Sequence, residues 1–197
     1  ATWGLEQLPG AVVDPARSAA SDQRSLVVQR DQYLSDTTIT QGGAIVGPLG
    51  STLLPGASAL RAMPDIARRL DEGATVPVRY GPIANSSADS WVSTDLGSEI
   101  FDEGSDVRGP HTLGLVIEAS GTITESPTAE FDPKRPLTRL VVFGDTDFAS
   151  NRHFADLGNG DLFLNAVNWV LEDQALISIR AKTEVFRPLV LTANEFN

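Results

Sequence analysis

Thr138–Leu171 reads TRLVVFGDTDFASNRHFADLGNGDLFLNAVNWVL, and the fold expected of this chain turns on that stretch. Leu140, Val141, Val142 and Phe143 form a short continuous apolar run, the pattern of a central strand covered on both faces. The run stops at Gly144-Asp145-Thr146-Asp147, which sets two carboxylates at the strand's carboxyl end. In open α/β sheets that end is where ligands bind. Asn159-Gly160 is a good turn and N-cap pair, and Asp161 suits the positive end of a helix dipole. At 100° per residue, Leu162, Phe163, Leu164, Ala166, Val167, Trp169, Val170 and Leu171 cover more than half of the helix that follows. Asp161, Asn165 and Asn168 are left on one narrow polar stripe, so the helix is expected to be largely buried, with a stripe that needs partners.

Working outward, 197 residues suit one generous domain, and 41% hydrophobic with 21% charged residues describe an ordinary globular chain. A net charge of −11 and a pI near 4.5 argue against binding a nucleic-acid backbone or an anionic membrane surface. There is no cysteine, which removes disulfides, thiolate zinc sites and a Cys nucleophile together. With only His111 and His153, a multi-histidine metal site within one chain is excluded. No apolar run has the length of a membrane helix. The chain opens on Ala-Thr-Trp, as a processed or trimmed piece would, so a membrane anchor in the parent protein stays open.

In chain order, Ala1–Leu8 is expected to be the end of a helix or its exit loop, closed by Pro9-Gly10. Strands are expected at Ala11–Val13, around Leu26-Val27-Val28, at Ala57–Ala62, around Val76–Tyr80 with Pro77 marking an edge, and at His111–Ala119. A short helix is expected over Met63–Leu70. Ala16–Arg24, Ser51–Gly56, Ile83–Asp95 and Leu96–Pro110 read as loops, and Ser120–Pro136 as a Ser/Thr/Pro/Glu linker between adjacent strands. Ala175–Arg180 (ALISIR) reads as a last strand, completing a single domain over 1–180, and 181–197 as a tail.

Asp145 and Asp147 fit two roles. As paired carboxylates they suit a hard cation or a hydroxyl-rich substrate; as turn residues they cap backbone N–H groups between strand and helix. Asn151 lies at the presumed mouth beside Arg152 and His153. Trp91, in a polar Ser-rich stretch, is either a sugar-stacking platform or a loop anchor. Asp161, Asn165 and Asn168 either face a ligand or bond the preceding loop. There is no Gly-x-Ser-x-Gly elbow, no Walker A sequence and no dinucleotide-binding glycine fingerprint, so no enzyme activity, cofactor or metal is expected. A carbohydrate-active or metal-dependent hydrolase built on Asp145 and Asp147 is the alternative, and a structural scaffold in an envelope complex another.

The segment Val142–Asn151 (VFGDTDFASN), followed by Gly158–Trp169 (GNGDLFLNAVNW) and Leu176–Arg180 (LISIR), resembles the auxiliary-component family of ABC-type transport systems associated with bacterial gliding motility. Similarity weakens upstream, to Val12-Val13-Asp14, Leu54-Pro55-Gly56-Ala57 and Ser90-Trp91. The family's His-Pro before an Ile-Thr pair is replaced here by Thr37-Thr38-Ile39-Thr40, so no role for that histidine carries over. The resemblance implies a flavodoxin-like, class I glutamine amidotransferase-like domain: a mostly parallel sheet flanked by helices, with an added β-rich portion. Its early elements would lie before Ala1, and amidotransferase chemistry is ruled out by the missing cysteine. It further implies an extracytoplasmic location on a bacterial cell membrane, with a membrane helix in the parent protein following the tail. The implied partners are the transporter's membrane and ATPase subunits, with a small molecule or carbohydrate as a further candidate ligand.

Overall fold

A computed structural model of the chain describes residues 2–19, 22–34, 39, 42–123 and 129–171. The expected strand at Ala175–Arg180 and the tail over 181–197 lie outside these residues. The elements run β1 (Leu5–Gln7), β2 (Ala11–Val13), β3 (Ser18–Ala19), β4 (Asp22–Val28), β5 (Thr52–Pro55), β6 (Leu60–Ala62) and α1 (Pro64–Asp71). They continue with β7 (Val78–Asn85), β8 (Trp91–Ser93), β9 (Val107–Arg108), β10 (Thr112–Ala119), β11 (Thr138–Phe143) and α2 (Asn159–Val170).

The expected parallel, flavodoxin-like sheet is not what forms. The described strands make three sheets, ordered β1-β6-β10-β11 with β7 also on β10, β2-β8-β9, and β3-β4-β5. Every strand pair in them is antiparallel. The physical reason lies in the connections. A parallel neighbour needs a crossover of a dozen or more residues, usually a helix, and the described residues contain only the eight-residue α1 and the twelve-residue α2. Most strands instead meet through turns or irregular loops. β10 and β11 pair in continuous register from Ala119↔Thr138 to Gly114↔Phe143, so the linker between them closes a long hairpin.

Several local expectations are corrected for the same reason. Segments poor in local β signal become strands where a partner satisfies their backbone. Leu5–Gln7 pairs with Leu60–Ala62, so the first residues form a strand and not a helix exit. Thr52–Pro55, expected as loop, pairs with Ser25–Val28. Trp91–Ser93, within the expected polar loop, pairs with Ala11–Val13 on one side and Val107–Arg108 on the other. The strands at Ala11–Val13 and Thr112–Ala119 and the helix over Pro64–Asp71 form as expected.

Two apolar clusters hold these sheets. The larger joins Val12, Leu26, Leu54, Ile83, Leu113 and Val116 with Leu162, Ala166 and Trp169 of α2. The smaller lies on the other face of the five-stranded sheet, around Leu60, Leu115 and Ile117, with Leu140 and Val142 packed against it. So α2 covers one face of β11, with the Arg139 guanidinium 5.4 Å from the Trp169 ring.

β11 differs from its expectation in one respect that matters below. Among the described residues it lies at the edge of its sheet, hydrogen-bonded to β10 alone. Residues 139–143 are half-buried, not covered on both faces as the LVVF run suggests.

Candidate functional site

The carboxyl end of β11 is built on a close approach. Gly144 donates its N–H to the Leu113 carbonyl and accepts the Ser58 N–H, both at 2.8 Å. A Cβ at this position would stand 1.8 Å from the Ser58 carbonyl oxygen, so only glycine fits without displacing backbone. The glycine thereby pins the turn that carries Asp145.

Asp145 is 8% exposed, and its Oδ1 accepts the Asp147 N–H at 2.8 Å, an Asx turn that starts a short 3-10 turn at Asp147–Ala149. Burial pushes the Asp145 carboxyl above its ordinary range, and the neighbouring Asp147 charge adds to this. The N–H groups of Asp147, Phe148 and Thr146 oppose the rise. Asp145 Oδ2 makes no hydrogen bond of good geometry; the N–H groups of Thr146 and Phe148 only approach the carboxylate. Asp147 is exposed, and its carbonyl accepts the Ser150 hydroxyl at 2.6 Å. One carboxylate is therefore turned inward to cap its own turn and the other faces water.

The remaining candidates separate. Asn151 is exposed beyond the 3-10 turn. Trp91 belongs to the β2-β8-β9 sheet, is 7% exposed and packs edge-on against Phe101 at 5.8 Å, the environment of an anchor in that sheet. His153 Nδ1 meets Asp156 Oδ2 at 2.8 Å within its own loop. Of the polar stripe, Asp161 is exposed in the first turn of α2 and Asn168 is half-buried. Asn165 is buried and donates to the Ile45 carbonyl at 2.9 Å, the internal role open to it from the sequence. No group of three or more His, Cys, Asp or Glu side chains able to hold a metal occurs among the described residues.

Asn159 is the residue whose importance the sequence understates. It is the first residue of α2, with Gly158 in the N-cap position. Its side chain is fully buried and imitates a neighbouring strand: Oδ1 accepts the Leu53 N–H at 2.8 Å while Nδ2 donates to the Leu53 carbonyl at 2.9 Å. A second Nδ2 bond reaches the His153 carbonyl at 2.9 Å. This amide stitches β5, the 150–158 loop and α2 together, and the Asn-Gly pair was its only local signal.

The helix is also less buried than its apolar arc suggests. Leu162, Ala166 and Trp169 reach the core, whereas Phe163, Leu164, Val167, Val170 and Leu171 stay between 38% and 68% exposed. Beside them runs an apolar groove of about 540 Å³, walled by Val141 and Phe143 of β11 and by Phe163, Val167 and Val170 of α2, with Asp145 at its rim. No helix in the described part of the chain is long and apolar enough to cross a membrane. Compared with known proteins, the chain matches no family model and no curated relative.

Proposed function

We propose that this chain is a non-catalytic, extracytoplasmic interaction domain of a membrane-anchored auxiliary component of an ABC-type transport system. The observation that carries the reading is the apolar groove between β11 and α2, flanked by partly exposed Phe163, Leu164 and Val167. Contiguous exposed apolar surface of this kind marks an interaction site. The same stretch, Val142–Trp169, carries the sequence resemblance to the transport family. The fold implied by that resemblance is not adopted in the described residues, so the resemblance supports the function through its motif alone.

The hydrolase alternative draws no support from the geometry. General acid–base work needs two groups facing one substrate, and here Asp145 caps a turn while Asp147 faces solvent.

Purifying the full-length protein from native membranes in mild detergent tests the proposal. The expected result is co-purification of an ABC permease and its ATPase, reduced when Leu164→Glu and Val167→Glu are introduced together. Recovery of the protein in the cytosolic fraction, or from membranes without either subunit, would overturn it. A melting-temperature rise with Ca²⁺ or a simple sugar, lost in Asp147→Ala, would favour a small-ligand site instead.

A further inference from the structure

Asn159-Gly160 is the one Asn-Gly pair in the 197 residues. Such a pair carries a chemistry of its own, with water as the only co-reactant. The Gly160 peptide nitrogen attacks Asn159 Cγ, the Cγ–Nδ2 bond breaks, and ammonia leaves with the proton that the peptide nitrogen gives up. Water then opens the five-membered imide at either carbonyl. One opening gives aspartate; the other gives isoaspartate, in which the main chain runs through the former side chain. Glycine favours this cyclisation more than any other successor, because it has no side chain to shield its nitrogen or restrict its rotation.

The fold holds this reaction off. Attack requires Cγ to swing over the following nitrogen, and both polar atoms of the amide are tied elsewhere. Oδ1 accepts the Leu53 N–H at 2.8 Å, and Nδ2 donates to the Leu53 and His153 carbonyls, each at 2.9 Å. The backbone is fixed as well, since both residues lie in the first turn of α2, which the Leu162 N–H closes on the Gly158 carbonyl at 2.9 Å. Asn159 is fully buried, so water has no access to take the proton or to open an imide. Packing accounts for the glycine: a Cβ at Gly160 would stand 3.0 Å from Phe154 Cε1 and 3.2 Å from the Phe154 carbonyl oxygen. Even alanine would press on the 150–158 loop, so packing keeps the residue that makes the pair reactive. All of these partners are among the described residues, and any chain lying over them would only deepen the burial.

We propose that Asn159-Gly160 is a modification site shut by the fold: it deamidates through opening of the joint between β5 and α2, and the product cannot rebuild that joint. Aspartate at this position still accepts the Leu53 N–H, but it has no N–H for the Leu53 and His153 carbonyls and sets a carboxylate oxygen against them. Isoaspartate removes the side-chain amide altogether and adds a methylene to the main chain in the first turn of α2, where the helical spacing of N–H to carbonyl is set. The site therefore turns a transient opening of this joint into a permanent one, and a deamidated chain marks a molecule that has opened. The proposal stands on the contacts of one amide and is independent of the transport reading.

The test incubates the folded protein and the same protein in denaturing guanidinium chloride side by side, in mildly alkaline buffer. Peptide mass spectrometry with electron-transfer fragmentation reads aspartate and isoaspartate at Asn159. Deamidation should be at least about a hundredfold slower in the folded protein, because a slow reaction tracks the opened population and folding constants are about 10³–10⁸. Raising guanidinium chloride below the unfolding midpoint should speed it log-linearly, as surface is exposed in the opening step. Leu162, 1% exposed on the same helix, gives a second arm: Leu162→Ala should speed native deamidation at least about tenfold by raising the opened population. If that variant does not fold, the denaturant dependence of the parent protein decides alone. Deamidated chains returned to native buffer at neutral pH should show a lowered urea midpoint beside unmodified chains treated alike. Native deamidation as fast as in denaturant, a native rate indifferent to guanidinium chloride, or a deamidated chain that refolds with the parent's midpoint would each overturn the proposal.

Discussion

Replacing Asn159 with alanine is expected to destabilise the protein by about 3 kcal/mol. The side chain is fully buried and makes three hydrogen bonds, to the N–H and carbonyl of Leu53 and to the carbonyl of His153. Each is worth about 1 kcal/mol net, and a buried donor or acceptor left without a partner costs about 1–3 kcal/mol. Water entering the vacated space limits the loss to the lower part of that range. A loss of this size is a large fraction of the roughly 5–15 kcal/mol that holds a native domain together. Urea unfolding followed by tryptophan fluorescence measures it, because Trp169 is 1% exposed on the same helix. Asn159→Asp is the sharper probe. A carboxylate still accepts the Leu53 N–H but turns its second oxygen toward two carbonyl oxygens. Burial and those carbonyls raise its folded-state pKa above the unfolded value of about 3.9. With a raised folded pKa, stability is full below the unfolded pKa and lost as pH climbs through the folded one. The Asp variant should therefore approach the parent protein near about pH 4 and fall away toward neutrality. Variants within about 0.5 kcal/mol of the parent at pH 7, or a deficit that shrinks as pH rises, would refute the idea that this amide joins β5 to α2.

Gly144→Ala should cost about 2–4 kcal/mol, combining overpacking against the Ser58 carbonyl with loss of the Ser58 and Leu113 backbone bonds, read as a fall in urea midpoint at unchanged slope. Asp145 has a folded pKa raised mainly by burial, so its share of stability is present below the unfolded pKa and lost as pH rises through the folded one. Asp145→Asn keeps the acceptor for the Asp147 N–H and should flatten that alkaline-side decline; an unchanged pH profile would contradict it. Burial lowers the His111 pKa, so its contribution is present above the ordinary value and lost as pH falls through the depressed one. In an NMR titration His111 should show a midpoint below about 6.5, and a midpoint above that would mean its ring is not desolvated.

Much of the secondary structure was legible where the local pattern is strong. Thr112–Ala119 and Thr138–Phe143 are dense in apolar β formers, and the 159–170 helix shows its period plainly. Leu5–Gln7, Thr52–Pro55 and Trp91–Ser93 were not, because each is three or four residues long and owes its extended form to partners 24 to 82 positions away. At the candidate site, the turn-capping role of Asp145 followed from Asx chemistry, and the internal bond of Asn165 from the need to satisfy buried amides. The amide ladder from Asn159 to Leu53 did not, since its partner lies 106 residues earlier.

The amino-acid sequence by itself determined what this chain cannot do by cysteine chemistry, where the strands at 112–119 and 138–143 and the longest described helix lie to within about two residues, and that a polar turn joins β11 to α2. Those are properties of composition and of neighbours within a few residues. Tertiary structure alone decided that the described sheets are antiparallel, that β11 pairs with β10 alone among the described residues, and that five of the eight apolar residues along the arc of α2 stay partly exposed. A continuous apolar run signals burial but not the element that supplies it. Strand order and helix facing are set by long-range pairing, in which β10 takes one side of β11 and no other described strand takes the second.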